Sequence, residues 1–247
     1  MKNNSYNWLK LISVITIIGI NVLQFKNTWY GYRLESCGLD GAISFYVCGK
    51  NIACGVMIWL LIVLFYGYTP ISTSEILKYD KRENIFFEKI RQTLKEIMIT
   101  NLQYMILSVI IQQFLSGKLI NWGKENALVG FKPNIILWLV GAYIYSCITI
   151  FLIWEIAYLI SISLKNRTLA IAFIIFYSFL SCFFNFNDSK ILKIIYVYSD
   201  TTNWGETTLI ECMIVDMYLL LLIGVVSVII LRMVKRMDYL NERDFNI

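Results

Sequence analysis

The chain has 247 residues, of which 58% are apolar and 16% charged, with a mean hydropathy of +0.63 and a formal net charge of +5. A soluble domain carries about a quarter charged residues, so this composition describes one membrane-embedded domain, with no polar interval long enough for a separate soluble one and no need of a nucleic-acid partner to explain the charge. The sequence holds no histidine, which excludes Ser-His and Cys-His pairs, HExxH zinc hydrolysis and histidine-ligated haem.

Runs of uncharged residues locate the membrane segments, because a hydrocarbon core of about 30 Å needs about 20 apolar helical residues. Lys10 and Lys26 bracket 15 uncharged residues, short unless both lysines snorkel, with Trp8 on one side and Trp29, Tyr30 and Tyr32 on the other as interfacial belts. This places a first span at about 9–27. No small-x-small cleavage site follows Phe25, so the segment reads as a signal anchor. Asn51 to Ser74 is a run of 24 ending beyond Thr69-Pro70, which gives a second span at 51–69 with the proline as its stop.

Ile97 to Gly117 supplies 21 residues and Thr168 to Asn187 supplies 20, giving the third span at 97–117 and the fifth at 168–186. Between them, Asn134 to Leu164 is a run of 31 broken only by Glu155. A fourth span at 134–162 must therefore tilt, kink near Gly141 or project into water. The sixth, at 208–231, carries Glu211 and Asp216 in its first half. Lysine and arginine favour the loops that are cytoplasmic when the N-terminus is inside, so the expected fold is an all-α polytopic membrane protein with six transmembrane helices and both termini cytoplasmic.

The loop between spans two and three is the most informative stretch. Residues 75–96 place Phe86, Ile90, Leu94 and Ile97 at helical spacing amid alternating charges, an amphipathic helix that feeds the third span and is preceded by a short one. Ser72, Thr73 and Ser74 offer N-caps ahead of Glu75, and a break is expected around Asp80 to Asn84. One reading is a membrane-hugging linker with its apolar face on lipid. The other is a coupling helix that presents an exposed Phe86 and Phe87 to a soluble partner. Past the fifth span, the segment 188–206 contains Ile191 to Tyr198, apolar yet too short to span, which suits a re-entrant or an interfacial helix.

Six spans, cytoplasmic termini, a basic helix-forming loop after span two, a long outer loop before span six and no nucleotide site together resemble the permease subunit of a type 2 ATP-binding-cassette exporter. Gly49-Lys50-Asn51, Gly117-Lys118-Leu119 and Gly123-Lys124-Glu125 all lack the hydroxyl residue of a P-loop. The small size and the Ile/Lys/Asn-rich style are similar to permeases of lantibiotic or bacteriocin immunity in Gram-positive bacteria. The resemblance implies ATP and magnesium bound by a separate cytosolic ATPase dimer, and a second permease, self or similar, in the cell membrane. It also implies an amphipathic antimicrobial peptide as cargo. By position, Glu75, Lys78, Arg82, Phe86, Phe87 and Lys89 would couple to the ATPase, although Lys-Tyr-Asp-Lys-Arg-Glu stands where the family has a Pro-Ser-Arg turn.

Within the spans, Glu155 and Asp216 are the acids deep enough to carry function, since membrane acids contact substrate, relay protons or pair. Gln112 and Gln113 are available partners, and both acids are assigned to the substrate pathway. Glu211 is interfacial. Cys37 and Cys48 share the first outer loop, where a disulfide is geometrically open to them; the other cysteines act as small apolar residues. Two further classes stay open: a stand-alone immunity protein that binds its ligand without ATP, and an intramembrane enzyme using carboxylates, which needs acids converging at one depth.

Overall fold

The computed structural model describes residues 2–26, 35–47, 61–64, 82–127, 134–164, 166–183 and 209–236. Among them the fold is helical: α1 (Lys2–Lys26), α2 (Gly38–Val47), α3 (Arg82–Ser116), α4 (Ile135–Leu164), α5 (Arg167–Phe183) and α6 (Leu209–Arg236). The described residues hold no strand, only an isolated bridge between Glu35 and Ala127. Glu83–Ser116, Ile135–Leu164 and Asp216–Lys235 are long and apolar enough to cross a membrane, while Asn7–Leu23 in α1 and Arg167–Tyr177 in α5 are shorter apolar stretches. Helices suit that setting because they satisfy every backbone donor and acceptor within themselves.

The helix ends are written in local chemistry. Asn134 caps α4 by accepting the Leu137 N–H at 3.3 Å, and Asn166 caps α5 by accepting those of Thr168 and Leu169 at 2.9 and 3.3 Å. Helix α3 stops at Gly117, whose φ of 67° is left-handed and whose N–H returns to the Gln113 carbonyl at 2.9 Å, an αL cap that a side chain would resist. The turn that follows feeds α2. The carbonyls of Lys118 and Leu119 accept the N–H groups of Gly38 and Leu39 at 2.8 and 3.1 Å, which answers donors that a helix start leaves open.

Cross-helix contacts fix the directions. Lys10 meets Glu96 and Asn21 meets Ser108, so α1 and α3 run parallel. Phe86 stacks on Tyr158 and Asn101 bonds Ser146, so α4 runs against α3. Glu155 meets Ser227 and Ser163 meets Met233, so α6 runs parallel to α4. Helix α3 touches α1, α2, α4 and α6, and α4 touches α5 as well. The core sits on the second half of α4, where Ile150, Trp154, Glu155 and Ala157 are fully enclosed. Its first half leaves Ile136, Leu137 and Val140 exposed.

The amphipathic stretch expected to feed the third span is the start of a 35-residue helix, about 52 Å long; of the break expected around Asp80 to Asn84, Arg82 to Asn84 are helical and 80–81 lie outside the described residues. The loop expected after the first span contains α2, which runs back along α3 from Gly38, beside Gln113 and Leu119, to Gly41, against Ser108 and Gln112. And α4 is continuous through Gly141. The second span falls outside the described residues except for 61–64, which are helical and buried. The outer segment 188–206 lies wholly outside them.

A Cβ on Gly41 would lie 2.2 Å from the Ser108 carbonyl oxygen, whereas one on Gly141 meets nothing within 4 Å. Gly41→Ala is therefore expected to cost about 1–3 kcal/mol through overpacking, and Gly141→Ala to gain about 0.5–1 kcal/mol of helix propensity. Thermal unfolding of the two variants in detergent checks both signs.

Candidate functional site

The residues expected to couple to a partner divide at the start of α3. Phe86 is fully buried and Phe87 is 53% exposed, which corrects the expectation that both are exposed. Consecutive helical residues point about 100° apart, so they cannot share a face. Phe86 lies parallel to Tyr158 with centroids 6.1 Å apart, and Tyr158 stacks in turn on Trp154 at 5.2 Å and Trp154 on Phe151 at 5.7 Å. This aromatic column binds the start of α3 to α4. Lys89, one turn on, is buried, and Glu83 forms a 3.0 Å ion pair with Lys235 near the end of α6. Arg82 opens the helix, while Glu75 and Lys78 lie outside the described residues.

Farther along α3, a polar stripe repeats every three or four residues, Asn101, Tyr104, Ser108 and Gln112, with Thr93 eight residues before it, all buried. It receives α1 through a Lys10–Glu96 ion pair at 2.6 Å, a Ser13–Tyr104 hydroxyl pair, an Asn21–Ser108 hydrogen bond at 3.1 Å and a Gln112 amide that donates to the Asn21 carbonyl at 2.9 Å. Toward α4, Asn101 donates to Ser146 at 2.5 Å and to the Cys147 sulfur at 3.2 Å, and Tyr143 donates to the Met98 carbonyl at 2.8 Å. Sequence reasoning passed over this stripe, although its spacing within an apolar run was a visible signal.

The intramembrane acids are not brought together. Glu155 is fully buried and accepts a 2.5 Å hydrogen bond from the Ser227 hydroxyl. Asp216 lies on α6, three turns or about 16 Å before Ser227. Neither pairs with the glutamines: Gln112 serves α1, and Gln113 lies against Gly38. Among the described residues no group of three His, Cys, Asp or Glu side chains is placed to hold a metal.

Beyond Gly117, the chain builds a polar knot that the sequence did not announce. Asp40 is buried, and its two oxygens accept the Trp122 indole N–H and the Cys37 backbone N–H, each at 2.7 Å. The latter is half of a capping box, with the acid at the third helical position. Burial pushes the Asp40 carboxyl above its usual range and the Cys37 thiol up to about 11. Glu35 moves the other way, its carboxyl lowered by the 2.6 Å hydrogen bond and the charge of Lys118. Cys37 is a buried thiol; Cys48 lies outside the described residues.

Comparison with known protein families, curated proteins and solved structures finds no match to this chain.

Because burial raises Asp40, the folded state favours its protonated form, and the knot's stability falls as pH rises through the window between the ordinary carboxylate value and the raised one. Trp122→Phe removes a donor that serves the ionised form. The expected loss is about 1–3 kcal/mol, larger at neutral than at acid pH, and thermal unfolding of variant and parent at the two pH values measures it.

Proposed function

We propose that the chain is the membrane-spanning permease subunit of an ATP-driven exporter, in which a separate cytosolic ATPase dimer binds and hydrolyses ATP. The observation that carries this reading is the construction of α3. One rigid helix continues about 20 Å beyond the Lys10–Glu96 pair, keeps Phe87 exposed at its tip, and is keyed into α4 by Phe86 and clasped to α6 by Glu83. A push on such a tip moves α3 and the helices packed on it as one body, the kind of two-state rearrangement that alternating access requires.

The six-span topology, with both termini cytoplasmic, draws support from the helix directions. Helices α1 and α3 are parallel, so the chain between them has to return, and residues 61–64 are helical and buried in the middle of the stretch assigned to that return. Helices α4 and α6 are likewise parallel with α5 between them. On this reading the Arg82 end of α3 faces the cytoplasm of a Gram-positive cell, and a second permease, a copy or a similar chain, completes the transporter. The cargo is an amphipathic antimicrobial peptide, and Asp216 belongs to its pathway; Glu155, fully enclosed in this packing, joins that pathway only when α4 and α6 part.

Buried Phe86 and exposed Phe87 give the test. Phe86→Ala empties a site in the aromatic column and is expected to cost about 3–5 kcal/mol of stability. Phe87→Ala leaves the fold intact and removes only the docking surface. Purifying the tagged chain from its native membrane should recover an ATPase in near-stoichiometric amount with ATP hydrolysis, both lost in Phe87→Ala at unchanged melting temperature. Recovery of the parent chain alone, without hydrolysis, overturns the reading in favour of a stand-alone binding protein.

A further inference from the structure

Among the described residues, Glu155 carries an acid into the enclosed, aromatic-lined second half of α4. Its residue is 0% exposed, Oε1 accepts from Ser227, and Oε2 has no hydrogen-bond partner. Its surroundings on α4 are Phe151 and Trp154 before it and Tyr158 after it, with Leu152, Ile153, Ala157 and Ile162 buried along the same stretch. An ionised carboxylate with one unanswered oxygen in such an interior is among the most unfavourable arrangements a fold can contain.

The charged and titratable groups on the packed elements do not answer it. From α3, Lys89 comes nearest in register, one turn past the Phe86–Tyr158 stack; it and Arg167 at the start of α5 each have an interaction of their own, and neither hydrogen-bonds Oε2. Glu83 on α3 pairs with Lys235 of α6, Asp216 is about 16 Å from Ser227 along α6, and Asp40 of α2 is held by Trp122. Arg232 lies more than one turn past Ser227. The Ser227 hydroxyl donates to Oε1, which marks that atom as the acceptor and leaves Oε2 as the one to be occupied. The occupant has to fit a site with no exposed surface.

We propose that Glu155 is a proton-binding site at the α4–α6 contact: a proton taken from water resides on Oε2 while the two helices are packed as described, and Ser227 holds the other oxygen as the carbonyl. The bound ligand is the proton alone, with no redox partner, and the site stands whether or not an ATPase works with this chain. Parting α4 from α6 admits water and lets the proton leave, so proton occupancy and the α4–α6 contact are linked.

Infrared spectroscopy of the full chain in lipid vesicles, with its glutamates isotope-labelled at the carboxyl carbon, reads the site directly. At neutral pH an isotope-sensitive carbonyl stretch of a protonated carboxylic acid is expected, absent from Glu155→Gln. In Ser227→Ala the same band should move to higher frequency, because the carbonyl has lost its donor; this assigns the band even if Glu155→Gln does not fold. Absence of any protonated glutamate band at neutral pH, or a band unchanged by both substitutions, overturns the proposal.

Discussion

A polar side chain shut away from water must be answered by another part of the same chain, and that constraint organises this molecule. Apolar side chains cannot choose between neighbours and lipid tails, which are equally apolar, so association inside a bilayer leans on close packing and on interhelical hydrogen bonds. Among the described residues, helix α3 carries the largest set of such groups. Its amides and hydroxyls face α1 on one side, through Tyr104, Ser108 and Gln112, and α4 on another, through Asn101. Each bond contributes on the order of 0.5–1.5 kcal/mol, yet together they fix which helices meet and at what register.

Close packing supplies the rest. Where α2 crosses α3, Gly41 sits on the Ser108 backbone with no room for a side chain, the approach that small residues permit between membrane helices. At the opposite end of α3 the large residues do the same task, with Phe86, Tyr158, Trp154 and Phe151 stacked in one column. The two ends of one helix are thus held by opposite means, by the absence of side chains at one and by rings at the other.

How much of this is legible in the sequence depends on whether a feature is set along the chain or across it. The starts of α4 and α5 are local events, set by the caps Asn134 and Asn166, whereas α6 runs on through Arg232, Lys235 and Arg236 and does not stop at its first charge. That α3 begins at Arg82 without a break is also local: no glycine or proline stands between Lys81 and Ser116, and the helix has no reason to stop. By contrast, the burial of Phe86 depends on Tyr158, and the satisfaction of Asp40 on Trp122, 82 residues away. The helical spacing of Phe86 with Ile90, Leu94 and Ile97 already sets it apart from Phe87, but alternating charges around both describe a surface, and the full burial of Phe86 needs α4. Helix α2 was hidden because Gly38, Asp40 and Gly41 read as loop residues; they are helical because the carbonyls of 118 and 119 and the α3 backbone are waiting for them.

The pair between Glu83 and Lys235 joins groups that are 40% and 54% exposed, so it is weak, on the order of 1 kcal/mol or less, and sensitive to salt. Its importance lies in timing. During synthesis Glu83 leaves the ribosome some 150 residues before Lys235, and through that interval the tip of α3 has no α6 to hold it. The aromatic column can form once α4 is in place, but the clasp closes only when the last described helix has been made. The tip that carries Phe87 is therefore the last part of α3 to acquire its final surroundings, and the order of synthesis keeps that surface unfinished until the helices behind it are assembled.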